Sequence, residues 1–200
     1  TISGNKIHSL TNYATNTLAF PIIFGMKMLG GQATNSTFAN NMISLDNGSA
    51  TNGVSIYGVY DGINNGTNGN LKNYFYNSIS INGITSGSSR SGAYWQNATS
   101  ARLKLRNNIL SNTRTGGTGK HYAIVHETGN TDAWTDTSSN FNNLFSSNVA
   151  TLAAYPLAID RTFATWKTTT AGDNNSKNVA LDFVNSSTDL HLNISTNCDL

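Results

Sequence analysis

The chain has 200 residues, enough for one domain with a continuous core, and its formal net charge is only +2, too small to imply a nucleic-acid partner. Charged residues make up 11%, while Asn, Thr, Ser and Gly supply 95 of the 200; with two prolines and a single glutamate, this excludes long amphipathic helices with charged outer faces. A hydrophobic share of 38% argues against disorder, no apolar run approaches the roughly 18 residues of a membrane helix, and the lone Cys198 excludes an internal disulfide or a cysteine-based zinc site.

Taken in chain order, the candidate strands repeat. Five segments place an apolar residue two positions after an asparagine: Asn5 to Ile7, Asn41 to Ile43, Asn77 to Ile79, Asn108 to Leu110 and Asn143 to Phe145, with a weaker sixth from Asn178. Their starts lie 36, 36, 31, 35 and 35 residues apart. About 15 to 17 positions after each asparagine comes a small residue followed by a large one: Gly58-Val59, Ala93-Tyr94, Ala123-Ile124 and Ala158-Ile159, with Phe20 to Phe24 in the first copy. A third apolar stretch then runs into the next asparagine, as in Leu71 to Phe75 and Leu103-Lys104-Leu105. Three short strands per repeat, each stacked on its equivalent, is the plan of a parallel β-helix. The chain is therefore read as one all-β solenoid domain over residues 1–200, right-handed by the general preference of parallel crossovers. It is expected to hold five or six coils of about 35 residues, with an irregular closing segment over 163–200. The absence of an initiator Met and of a signal-peptide pattern suggests a piece of a longer secreted protein.

The recurring asparagines have a physical reason. Stacked amides can each donate to one neighbour and accept from the other, and Asn tolerates the left-handed backbone of a turn between strands. Asn5, Asn41, Asn77, Asn108 and Asn143 are the predicted ladder.

With the repeat established, a resemblance can be stated. The chain resembles the right-handed parallel β-helix proteins of the pectin-lyase-like superfamily, in particular large secreted bacterial surface proteins. The similarity is carried by the repeat and by Phe163-Ala-Thr-Trp166, Gly172-Asp-Asn-Asn-Ser176 and Asp189-Leu-His-Leu192, which look like a closing segment of such chains. The resemblance implies the fold and an extracellular or bacterial cell-surface location. It does not imply one activity, because the superfamily includes polysaccharide lyases, glycosidases, tailspikes and adhesins.

Candidate chemistry is sparse. No two acids share a column of consecutive repeats, so neither a calcium site nor a carboxylate cluster is expected, and no metal or cofactor is predicted. One column reads Asp61, Gln96, His126 and Arg161, and within it His126 beside Glu127 is the one acid–base pair worth testing, against a bland reading as a solvated edge. Tyr60 and Trp95 share an outward column and are expected to form a platform for sugar rings. Arg102, Lys104 and Arg106 alternate with inward leucines and could hold an acidic glycan, or simply keep a strand soluble. The expected function is non-catalytic: structural, adhesive or glycan-binding. A polysaccharide lyase or glycoside hydrolase is the main alternative, and a filament that associates end to end is another.

Overall fold

The computed structural model describes residues 1–12, 21–31, 34–46, 53–64, 71–97, 102–127 and 138–197. The first turn carries β1 (Ile2–Ser3), β2 (Lys6–Ile7) and β3 (Ile22–Gly31), and the second β4 (Ser36–Ala39), β5 (Met42–Asp46) and β6 (Ser55–Asn64). The third carries β7 (Leu71–Phe75), β8 (Ser78–Asn82) and β9 (Ser91–Gln96), the fourth β10 (Arg102–Arg106), β11 (Ile109–Asn112) and β12 (His121–His126), and the fifth β13 (Ser139–Asn140), β14 (Asn143–Ser146) and β15 (Ala153–Ala154). Equivalent strands pair in parallel into three sheets. The fold is thus the expected parallel β-solenoid. Only three turns, from β4 to β12, have full strands on all three sides. The turns at either end are partial, with strands shrunk to two residues in two of the sheets.

The corner between the first and second sheets is always two residues: 4–5, 40–41, 76–77, 107–108 and 141–142. The first of each pair takes a left-handed conformation, with φ between 54° and 70°. The second is the ladder asparagine. Asn41 donates from its backbone N–H and from Nδ2 to Asn77 Oδ1 at 3.1 and 2.9 Å, and Asn77 repeats the pattern on Asn108 at 3.0 and 2.9 Å. Asn5 does the same on Asn41, and Asn108 on Asn142, so the rungs are separated by 36, 36, 31 and 34 residues. The fifth rung is therefore Asn142 and not the expected Asn143. Asn143 begins β14, aligns with Ile109, and bonds instead to the backbone of Val179. With Asn142 as the rung, the residue two positions on is Leu144, which is fully buried as Ile43, Ile79 and Leu110 are.

A strand of the third sheet bends at its centre so that two consecutive residues face the interior. Ala93 with Tyr94, and Ala123 with Ile124, all belong to the inner core, while Trp95, Val125 and Tyr122 pack on the outer side. This accounts for the small–large pattern of the first four turns: between stacked coils the first inward residue sits where a large side chain cannot fit, whereas Leu152 takes that position in the last turn, at the closed end. A Cβ on Gly58 would lie 2.4 Å from Ile79 Cγ2, and one on Gly25 would lie 2.5 Å from Ile43 Cγ2. In the first turn the pair is accordingly Gly25-Met26, since Met26 aligns with Val59. In the fifth it is Leu152-Ala153 rather than Ala158-Ile159, since Ala153 aligns with Ile124. Phe20 lies outside the described residues.

The solenoid is closed at one end. After β15 the chain reverses, and β16 (Asp160–Arg161) pairs with it antiparallel. Helix α1 (Phe163–Thr170), capped by Thr162, then drops Trp166 onto the open end of the core, where it is fully buried. Trp166 Nε1 donates to Asp173 at 2.9 Å, and Asp173 also accepts from Ser139, Asn142 and Ser176, which terminates the ladder in a carboxylate. No further parallel coil can add there without displacing these elements. The sixth copy expected from Asn178 does not form a coil of strands among the described residues: Lys177 makes an isolated bridge to Asn143, and Val179 bonds to the Asn143 side chain. The remaining hairpin, β17 (Phe183–Asn185) and β18 (Asp189–Leu192), folds back on the second sheet, burying Leu190 and bonding Ser44 to Ser186.

Replacing Asn77 with Ala would leave two donors of Asn41 and the carbonyl of Phe38, which Asn77 Nδ2 serves at 3.0 Å, without their partner. Each buried orphan costs about 1–3 kcal/mol, so a loss of roughly 3 kcal/mol or more is expected in equilibrium urea unfolding.

Candidate functional site

The outer face of the third sheet carries the most varied chemistry in the molecule. Tyr57 and Tyr60 project from β6, Trp95 from β9 and Tyr122 from β12, in contact as one aromatic cluster. Tyr57 meets Trp95 edge to face at 4.8 Å, and Tyr60 meets Tyr57 the same way at 5.6 Å. Column alignment would place Gly92 between Tyr57 and Tyr122, and the missing side chain is what lets Trp95 lie down over it. A Cβ on Gly92 would come within 2.7 Å of the indole.

Trp95 is consequently only 1% exposed. It shares the outward column with Tyr60 as expected, but it is a floor covered by neighbouring rings and cannot present a free face to a sugar. Its Nε1 donates to Glu127 Oε2 at 2.8 Å, the Asn97 amide donates to the same oxygen, and the Arg90 guanidinium lies 5.8 Å from the indole ring. The accessible rings are those of Tyr57 and Tyr60, both half-buried. Burial raises both phenol pKa values, with the Glu127 carboxylate adding to the rise.

Two hollows flank this cluster. One of about 550 Å³ is lined by Arg90, Lys120, Tyr122, Glu127 and Leu157, and one of about 380 Å³ by Tyr57, Tyr60, Arg90, Trp95 and Glu127. They share Ser88, Arg90 and Glu127, and so form one groove with a charged waist. At its edge Lys120 pairs with Asp160 at 2.6 Å, and Tyr122 donates to the same carboxylate at 2.9 Å.

The proposed acid–base pair is not assembled. Glu127 faces the groove, whereas His126 points inward, fully buried, its ring 4.8 Å from Tyr155 at the inner core. The column does align Asp61, Gln96 and His126, but all three are interior, and Arg161 is not in it because β16 runs antiparallel. Asp61 instead anchors a buried network. Lys72 Nζ reaches it at 2.8 Å, and the hydroxyls of Tyr74 and Tyr94 donate to Oδ2 at 2.9 and 3.0 Å. Burial and that carboxylate hold both phenols well above their ordinary pKa, while burial lowers that of Lys72 against the opposing pull of Asp61.

Arg102, Lys104 and Arg106 do alternate with buried Leu103 and Leu105, so they project outward as expected. They belong to the first sheet, however, and the structure does not bring them together with Tyr60 and Trp95 on the third. Arg90, Lys120 and Asp160 reach the groove from corners or after a reversal, where no periodicity assigns them to it. Among the described residues no three His, Cys, Asp or Glu side chains gather as a metal would require, and no helix is long and apolar enough to cross a membrane. Comparisons with protein-family models, curated proteins and solved structures find no match.

Removing one member of the buried pair leaves a charge without compensation, so Lys72→Met is expected to destabilise by about 3–5 kcal/mol in thermal or urea unfolding. A second outcome concerns acid. His121, buried and bonded to Ser91 at 2.9 Å, has its pKa lowered by burial, with Arg114 adding to the fall and a hydrogen bond from Nε2 to the Gly116 carbonyl opposing it. A depressed histidine pKa means that the unfolded chain binds the proton first. Its contribution is therefore fully present above about 6.5 and is lost as the pH falls from there towards the folded value. Melting temperatures should drop between pH 7.5 and 5, and less steeply in His121→Gln.

Proposed function

We propose that this chain is a non-catalytic, extracellular glycan-binding solenoid that takes a polysaccharide segment in the groove on the outer face of its third sheet. The observation that carries the reading is the groove itself: two contiguous hollows, one lined by Tyr57, Tyr60 and Trp95 and the other by Tyr122, joined across Arg90 and Glu127. Sugar rings offer apolar C–H faces and a rim of hydroxyls, and aromatic walls with fixed charged partners match both. The carboxylate of Glu127 is held by Trp95 and Asn97, so it is oriented as a hydrogen-bond acceptor for hydroxyls. A secreted or cell-surface setting fits this role. Support for it comes from the resemblance of the repeat and of the closing segment to pectin-lyase-like surface proteins.

Against a panel of immobilised polysaccharides, the protein should retain at least one polymer. Tyr60→Ala and Arg90→Ala should each weaken that binding by about tenfold while leaving the fold intact, because neither side chain belongs to the inner core. Trp95→Ala is a poor probe, since removing a buried indole also destabilises the sheet. Release of unsaturated or reducing-end products that disappears in Glu127→Ala would overturn the reading in favour of a lyase or hydrolase.

A further inference from the structure

The left-handed corner between the first and second sheets holds one residue per turn: Gly4, Asn40, Tyr76, Asn107 and Phe141. They form one column, as Asn40 N–H donates to Phe75 O at 3.1 Å and Tyr76 N–H to Arg106 O at 3.3 Å. Gly and Asn are the residues this conformation favours, and a bulky aromatic there is an outlier that needs a reason. Burial is not that reason. Tyr76 is 60% exposed and Phe141 50%, so neither ring gains core packing in return for its backbone geometry. A conformational cost held at an exposed position by the surrounding fold is a signature of a functional surface.

The chemistry around the column indicates a ligand. Tyr76 and Phe141 are two turns apart with Asn107 between them, which sets their backbone positions about 10 Å apart along the solenoid axis. That distance suits alternate rings of an extended polysaccharide, with the Asn107 amide available to the sugar between. Phe141 also walls a hollow of about 350 Å³ together with Asn107, Asn143, Asn175 and the exposed Lys177. The guanidinium of Arg106 lies 5.8 Å from the Phe141 ring, and on the same strand Lys104 and Arg102 project outward. Positive charge beside stacking rings selects a polymer that carries anionic groups.

The geometry points to a second glycan site on this corner, taking an acidic polysaccharide laid along the axis, with Tyr76 and Phe141 as stacking rings and Arg106 and Lys177 as partners for carboxylate or sulfate. It lies on different sheets from the groove and does not depend on it.

The backbone supplies a clean test. Asn already occupies this column at positions 40 and 107, so Tyr76→Asn and Phe141→Asn remove the rings while relieving the backbone. Binding to heparin and to hyaluronate would be followed by affinity electrophoresis at several salt concentrations, with dextran as the neutral comparator. The double variant should melt at or above the wild-type temperature, yet bind the acidic polymers at least about tenfold more weakly. Tyr60→Ala should leave this binding unchanged, which separates the site from the groove. The proposal is overturned if neither acidic polymer binds, if dextran binds equally well, if the double variant binds as wild type does, or if it loses stability, since the rings would then be structural.

Discussion

Everything in this molecule hangs on the registration of one buried amide against the next. A ladder asparagine uses one carbonyl oxygen to accept both the backbone N–H and the side-chain N–H of the preceding rung, and its own Nδ2 serves the carbonyl of a residue one turn away. Three groups that a two-residue corner would otherwise strand are satisfied at once, in an interior where an orphan is expensive. Once the rungs are in place, the strand that follows can only put its second residue inward. This is why Ile43, Ile79, Leu110 and Leu144 fall into a single apolar column.

The third sheet solves a different problem. Its strands must turn a corner without a loop, and they do so by placing two successive residues on the inside; in the first four turns the first of the two is glycine or alanine, and only at the closed end does Leu152 take that place. The same bend sends the next residue out, so that Tyr60 and Trp95 emerge beside Tyr57 and Tyr122. The aromatic groove is thus a by-product of how the core is closed. Further along the same strands the interior turns polar, and Asp61 is held there by converging donors from Lys72, Tyr74 and Tyr94.

Most of the fold was legible in the sequence because the repeat is written in residue types with narrow conformational uses. The ladder slipped by one at Asn142–Asn143, where two asparagines are adjacent and the spacing is irregular, so type alone could not choose between them. The inner position of Leu144 decides it. The site was less legible. That Trp95 faces outward follows from its column, but that it is covered depends on Gly92, whose absent side chain matters only once the indole is seen lying across it. That His126 and Glu127 face opposite sides is implied by alternation along a strand. That Asp160 joins Lys120 depends on the reversal after β15, which no periodicity announces.

The invariant two-residue corner divides the solenoid into an edge that cannot change length and two that can. Successive rungs are 36, 36, 31 and 34 residues apart, and the whole difference is absorbed in the segments that enter and leave the third sheet. An insertion at a ladder corner would break the amide bonds from that rung to the rungs on either side of it, whereas one on either side of the third sheet leaves the interior untouched. Variation, whether by descent or by engineering, is therefore channelled to the rims of the groove. The ladder edge remains a fixed ruler against which grafted loops could be positioned.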